Sequence, residues 1–168
     1  MNFHTAYLRT AAIALLFLSA CAKDDDPAPA PASTSRLTWT VDGGALTAEA
    51  TAGLSPGGLL FIRGQHATST LTKGIELVLP AQVGTFAAPG PDRARALYRT
   101  YEYQSNTTVA TEYPSTAGGT ITVSSYTASP ELGGSVIVGT FAFLGNDTDP
   151  YGGIGTRNIT QGSFNIRF

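Results

Sequence analysis

From residue 36 to the end of the chain, apolar side chains recur at every second position, in runs cut by Gly and Pro. Successive side chains of an extended strand point to opposite faces, so this period fits a sheet rather than a helix. In RLTWTV (36–41), Leu37, Trp39 and Val41 fall on one face and Thr38 and Thr40 on the other. Ile121 and Val123 alternate in the same way in GGTITVSSY, and Phe164, Ile166 and Phe168 do so in GSFNIRF. GGSVIVGTFAFLG is the strongest strand of all. Asp42, Gly43 and Gly44 form a tight hairpin signal. No stretch after residue 35 combines helical periodicity with caps. The 19 Gly and 10 Pro supply the turns that many strands require. The expected fold for residues 36–168 is all-β, an antiparallel sandwich of roughly 8–10 short strands, with a small lipocalin-like β-barrel as the alternative.

The N-terminus follows another rule. Residues 1–9 carry one positive charge, Arg9, and TAAIALLFLSA (10–20) is apolar and ends in small side chains. That run is too short for a bilayer core, which needs about 20 apolar residues, but it suits a secretory signal peptide. LSAC (18–21) resembles the bacterial lipobox, which implies that Cys21 receives diacylglycerol and becomes the mature N-terminus. More than one acyl chain gives stable anchoring. Cys21 is the only cysteine, so an exported domain holds together by core burial and sheet hydrogen bonds without a disulfide. Lys23, Asp24, Asp25 and Asp26 resemble the export run that sends lipoproteins of Bacteroidota to the outer face of the outer membrane. The alternative is a periplasm-facing anchor with a merely solvated acidic run. PAPAPASTS (27–35) favours extended polyproline II, so residues 21–35 form a tether that spans roughly 40 Å. The organisation is therefore signal peptide 1–20, lipidated tether 21–35 and a single β-domain 36–168.

The domain also resembles a family. LTWTVDGGALTAEA near its start, GGTITVSSY, VGTFAFLG and the closing ITQGSFNIRF match, in order, the strands of a group of small Bacteroidota lipoproteins that share a domain without assigned function. The resemblance implies an exported, all-β lipoprotein and carries no catalytic or binding residues. A final strand ending in Phe is also similar to the insertion signal of outer-membrane barrels. Such barrels need strands of about 9–11 residues, and the strands here read as shorter and broken by Gly.

A formal charge of -2 and the absence of a dense basic patch argue against nucleic acid. The Arg residues of DRARALYR (92–99) read as the wet side of a strand. His66 is the only histidine after residue 20, with Thr68 and Ser69 nearby in sequence, and neighbours on one strand end rarely form a triad. Glu49, Glu76, Glu102, Glu112 and Glu131 offer no evident pair for acid–base work across a cleft. Zinc lacks its usual ligands. Asn146, Asp147 and Asp149 form a weak calcium candidate in a Gly-bounded loop, with a plain turn as the better reading. No catalytic residue, metal or cofactor is expected. The feature that suggests recognition is aromatic: Tyr98, Tyr101, Tyr103 and Tyr113 lie among Thr, Ser and Asn. Tyr offers rigid contact area at low entropy cost, as faces that bind glycans or proteins do; the alternative is that the rings fill the core edge. The functional expectation is a lipid-anchored, non-catalytic binding or interaction domain, with a lipocalin-like carrier of a small apolar ligand as the alternative.

Overall fold

A computed structural model describes residues 35–128, 134–147 and 155–168. The signal peptide 1–20, Cys21, the run 23–26 and all of the tether except Ser35 lie outside them, as do Glu131 and Asp149. Every regular element among the described residues is a strand. In chain order these are β1 Arg36–Val41, β2 Gly44–Leu54, β3 Leu59–Ala67, β4 Leu71–Pro80, β5 Gly84–Ala87, β6 Arg95–Gln104, β7 Thr107–Pro114, β8 Gly119–Thr127, β9 Val136–Asn146 and β10 Thr156–Arg167. All neighbours pair antiparallel, in the order β5-β8-β9-β10-β1-β2-β3-β4-β6-β7.

The sheet is continuous but bends at β2. Residues 44–49 of β2 pair with β1, and residues 50–54 pair with β3. β2 thus belongs to two leaves, one made with β1, β10, β9, β8 and β5, the other with β3, β4, β6 and β7. At the corner Gly64 has no side chain to hold the leaves apart: a Cβ there would sit 3.3 Å from Leu37 Cβ and 3.5 Å from Ala48 Cβ. β6 and β7 come round to touch β9, so the arrangement is a curled sheet intermediate between sandwich and barrel. The predicted hairpin joins β1 to β2, with Asp42 at φ 51° and Gly43 at φ 77°, the left-handed pair that a two-residue turn requires.

The expected alternation holds. Leu37, Trp39, Val41, Ile121, Val123, Phe164 and Ile166 are all buried in one cluster that draws on both leaves. Trp39, Tyr98, Phe164 and Leu60 are among its largest fully buried side chains. Among the described residues the buried Trp39 indole Nε1 meets no hydrogen-bond partner.

The strands are longer than the sequence suggested. Seven of them run nine residues or more, and several glycines taken as breaks lie inside strands. The reason is cross-strand pairing with aromatic rings. Gly139 of β9 pairs with Phe164 of β10, Gly162 of β10 with Phe141 of β9, and Gly119 of β8 with Phe143 of β9. At Gly139 and Gly162 the ring lies over the space a side chain would have taken, which shields the glycine backbone and compensates for its flexibility; at Gly119 that space is taken by Phe143 Cβ and the Ala142 carbonyl oxygen. Strand length therefore does not separate this domain from a membrane-spanning barrel; the faces do. A spanning barrel turns an apolar band outward and a polar lumen inward. Here the cluster is inside, while the outward positions of β10 carry Asn158, Ser163, Asn165 and Arg167.

Candidate functional site

The outer face of the first leaf is a row of hydroxyls. Thr85, Thr122, Thr140, Ser163, Thr38 and Thr47 sit in direct cross-strand register from β5 to β2. Thr38 Oγ1 lies 2.7 Å from Ser163 Oγ, and Thr85 Oγ1 lies 3.2 Å from Thr122 Oγ1. Such pairs stabilise a sheet and satisfy one another.

The second leaf differs. Its outer face holds a ladder of alternating charge, one residue per strand: Arg63 on β3, Glu76 on β4, Arg99 on β6 and Glu112 on β7. Arg63 Nη2 donates to Glu76 Oε2 at 2.7 Å. Arg99 Nη1 lies 3.6 Å from the same oxygen, and Arg99 Nε lies 2.7 Å from Glu112 Oε1. Burial works against the Arg99 charge, but Glu112, then Tyr101 and Glu76, outweigh it, and the guanidinium is held more basic than usual. Three depressions meet at Glu76. One, about 360 Å³, is lined by Gly53, Phe61 and Arg63. A shallow dimple over Gly74 lies between Gln65 and Arg99. The third, about 290 Å³, has Val78, Leu97, Pro89 and Pro114 as apolar walls and Arg95 with Arg99 on its rim. From β2 to β7 the face is four strand spacings wide, about 19 Å.

The four tyrosines do not form one surface. Tyr98 and Tyr113 are buried in the core, with ring centroids 5.7 Å apart. Tyr101 is half-buried and Tyr103 is exposed. Tyr98 and Tyr101 are three residues apart on one strand, so they point to opposite sides of it. Tyr101 pairs with Thr72 and Ala110 beside the charge ladder, and Tyr103 places its hydroxyl 3.2 Å from Thr72 Oγ1. Of the four, Tyr101 and Tyr103 alone lie on the ladder face. Phe61, Arg63, Gln65 and Arg99 complete it. Their outward parity is readable from the alternation, but their adjacency is not, because it depends on the register of four strands.

Tyr98 and Tyr113 instead help close one end of the core. Arg157 lies 5.4 Å from the centroid of the Tyr113 ring and its Nε is 3.5 Å from Asp42 Oδ2. The Tyr98 phenol is pushed up to about 12, by burial first and then by Asp42, with Arg157 pulling the other way. A free tyrosine ionises near pH 10. The folded state therefore keeps its proton more tightly, and that contribution to stability is intact below pH 10 and lost as pH rises to 12. Urea midpoints are expected to fall more steeply across pH 10–12 in the wild type than in Tyr98→Phe; parallel slopes would refute this.

His66 is half-buried, and its Nδ1 lies 3.0 Å from the Thr47 carbonyl oxygen, which it meets as a donor. Thr68 Oγ1 donates to Leu71 O and accepts from Leu71 N, so both residues serve a turn. Glu76 and Glu112 are joined through Arg99, while Glu49 and Glu102 are exposed. Of the calcium candidates, Asn146 donates through Nδ2 to Thr116 Oγ1 at 3.2 Å. Asp147 follows the end of β9 and has a partner of its own, and Asp149 lies outside the described residues. No three His, Cys, Asp or Glu side chains converge among the described residues. The chemistry available on the ladder face is recognition: paired donors and acceptors, flat rings and shallow relief. No family model, curated protein or solved structure matches the chain.

Proposed function

We propose that the chain is an outer-membrane lipoprotein whose β-domain binds a glycan through the outer face of β3, β4, β6 and β7. Cys21, acylated behind a signal peptide of residues 1–20, is the anchor, and the run Lys23, Asp24, Asp25 and Asp26 directs the domain to the cell surface. The lipobox-like LSAC, the acidic run and the ordered resemblance to small Bacteroidota lipoproteins support the address.

The observation that carries the binding function is the meeting of three depressions at Glu76. They give an elongated site in which fixed Arg and Glu groups alternate, beside Phe61, Tyr101 and Tyr103. A polyhydroxyl chain presents donors and acceptors along its length and apolar ring faces between them, which suits this pattern. A lipocalin-like carrier is less well supported, because it needs an open apolar interior. Trp39, Tyr98, Phe164 and Leu60 fill that space among the described residues.

The test uses whole cells that express the full chain, a panel of labelled polysaccharides and a panel of labelled surface proteins. Wild-type cells bind at least one polysaccharide, and the double variant Arg63→Ala/Tyr101→Ala weakens that binding at least about tenfold, the effect of losing roughly 1.4 kcal/mol. Cys21→Ser moves the domain out of the membrane fraction and abolishes binding to cells. Binding to a protein alone, or sugar binding indifferent to the double variant, rejects the glycan site; retention of Cys21→Ser in the membrane rejects the anchor.

A further inference from the structure

One edge of the sheet lacks the usual protection. β7 is the last strand of the second leaf, and among the described residues no strand pairs with its outer side. Its register with β6 is unbroken from Thr107 to Pro114, with no bulge. Two hydrogen bonds fix which backbone groups look outward. Ser115 N donates to Ala96 O, and Tyr103 N donates to Thr70 O beside β4. Odd-numbered residues of β7 therefore bond to β6, and the N–H and C=O groups of Thr108, Ala110 and Glu112 point away from the sheet. Thr107, Thr108, Val109 and Ala110 are all exposed. Natural edges are blunted by Lys, Pro, bulges or short length. This one is eight residues long, rich in Thr and Val, and has no Pro before Pro114 and no Lys. The opposite edge strand, β5, has only four residues. The β6–β7 hairpin also carries two exposed large apolar side chains, Tyr103 at 46% and Val109 at 43%.

We infer that β7 pairs antiparallel with β7 of a second copy of this chain, about a two-fold axis at Ala110. That register is self-complementary. Thr108 faces Glu112 of the other copy, so the strand's one charge meets a hydroxyl and never itself. Glu112 is already paired with Arg99, so closure buries no bare charge. Val109 faces Thr111, a β-branched pair that packs well across strands. The outward groups of Thr108, Ala110 and Glu112 then find partners, and the two leaves join in one sheet. The pairing uses the edge of β7 and leaves the ladder face open, so it does not depend on the glycan reading.

The test uses the full chain, solubilised from membranes in detergent and followed by sedimentation velocity across a concentration series. The wild type is expected to sediment as a concentration-dependent dimer. In Ala110→Pro the dimer boundary is lost while circular dichroism and the melting curve stay as in the wild type, because the lost N–H points away from β6 and proline is tolerated on an edge. A second measurement holds if that variant misfolds. In Val109→Cys/Thr111→Cys the two residues face each other across the axis as a non-hydrogen-bonded pair with Cα atoms about 4.5 Å apart, within disulfide reach. Oxidation then gives a covalent dimer on a non-reducing gel, absent from the wild type. A wild type that stays monomeric with no cross-link, or a dimer that persists in a folded Ala110→Pro, overturns the inference.

Discussion

Replacing Trp39 by Ala is expected to lower the free energy of unfolding by about 3–5 kcal/mol, the range for a large aromatic removed from a packed core. Total stability for a domain is on the order of 5–15 kcal/mol, so the variant sits near the edge of folding. Trp39 is 1% exposed and belongs to the first strand of the domain, where it packs in the cluster that joins the two leaves. Its cost is not the same for every substitution. The indole Nε1 has no hydrogen-bond partner among the described residues, and a buried donor left unpaired costs about 1–3 kcal/mol. Trp39→Phe removes that donor and keeps most of the ring, so it should recover the larger part of what Trp39→Ala loses. Urea unfolding of the three proteins checks this. Equal losses for Phe and Ala would contradict this account, because the retained phenyl ring would then restore none of the packing and removal of the orphan donor would bring no relief.

The second large effect is expected at Gly139. A methyl group added there runs into the Thr122 carbonyl oxygen and the ring of Phe164, and backbone oxygen cannot step aside. Gly139→Ala should therefore destabilise by about 3 kcal/mol, at the upper end of the usual range for overpacking. Part of that loss should return in Gly139→Ala/Phe164→Leu, where the ring is gone and only the carbonyl contact remains. Gly53 is the control. It too lies in a strand, but a Cβ there meets nothing within 4 Å, and Ala is intrinsically better than Gly in a strand interior by roughly 0.5–1 kcal/mol. Melting temperatures that move together for the two Gly→Ala variants would contradict this account.

The same glycines mark where a reading of the sequence departs from the fold. Alternation along each strand is a local property, so the inward set of Leu37, Trp39 and Val41, or Phe164 and Ile166, is visible in the chain itself, as is the Asp42-Gly43 turn. Whether a glycine ends a strand or lies beneath a ring depends on the strand beside it. Gly139 and Phe164 are adjacent only because β9 and β10 align in one register. The tyrosines are a different case. Parity alone separates Tyr98 from Tyr101, whereas composition alone groups all four. The charge ladder was not legible at all. Arg63, Glu76, Arg99 and Glu112 come from four strands, and each alone looks like a residue on a wet face.

The pairing of β1 with β10 has a further consequence, for the order of events during synthesis. Arg36 stands opposite Asn165, and Leu37 opposite Phe164. The first strand of the domain to emerge from a ribosome, or from a translocation pore, has one of its two neighbours at the far end of the chain. The β3–β4 and β6–β7 hairpins join near neighbours in sequence and can close early, while the first leaf stays incomplete until β10 arrives. Contacts of such long sequence separation slow folding. Under the export proposed above, a domain that locks only on its final strand suits passage through a membrane in the unfolded state.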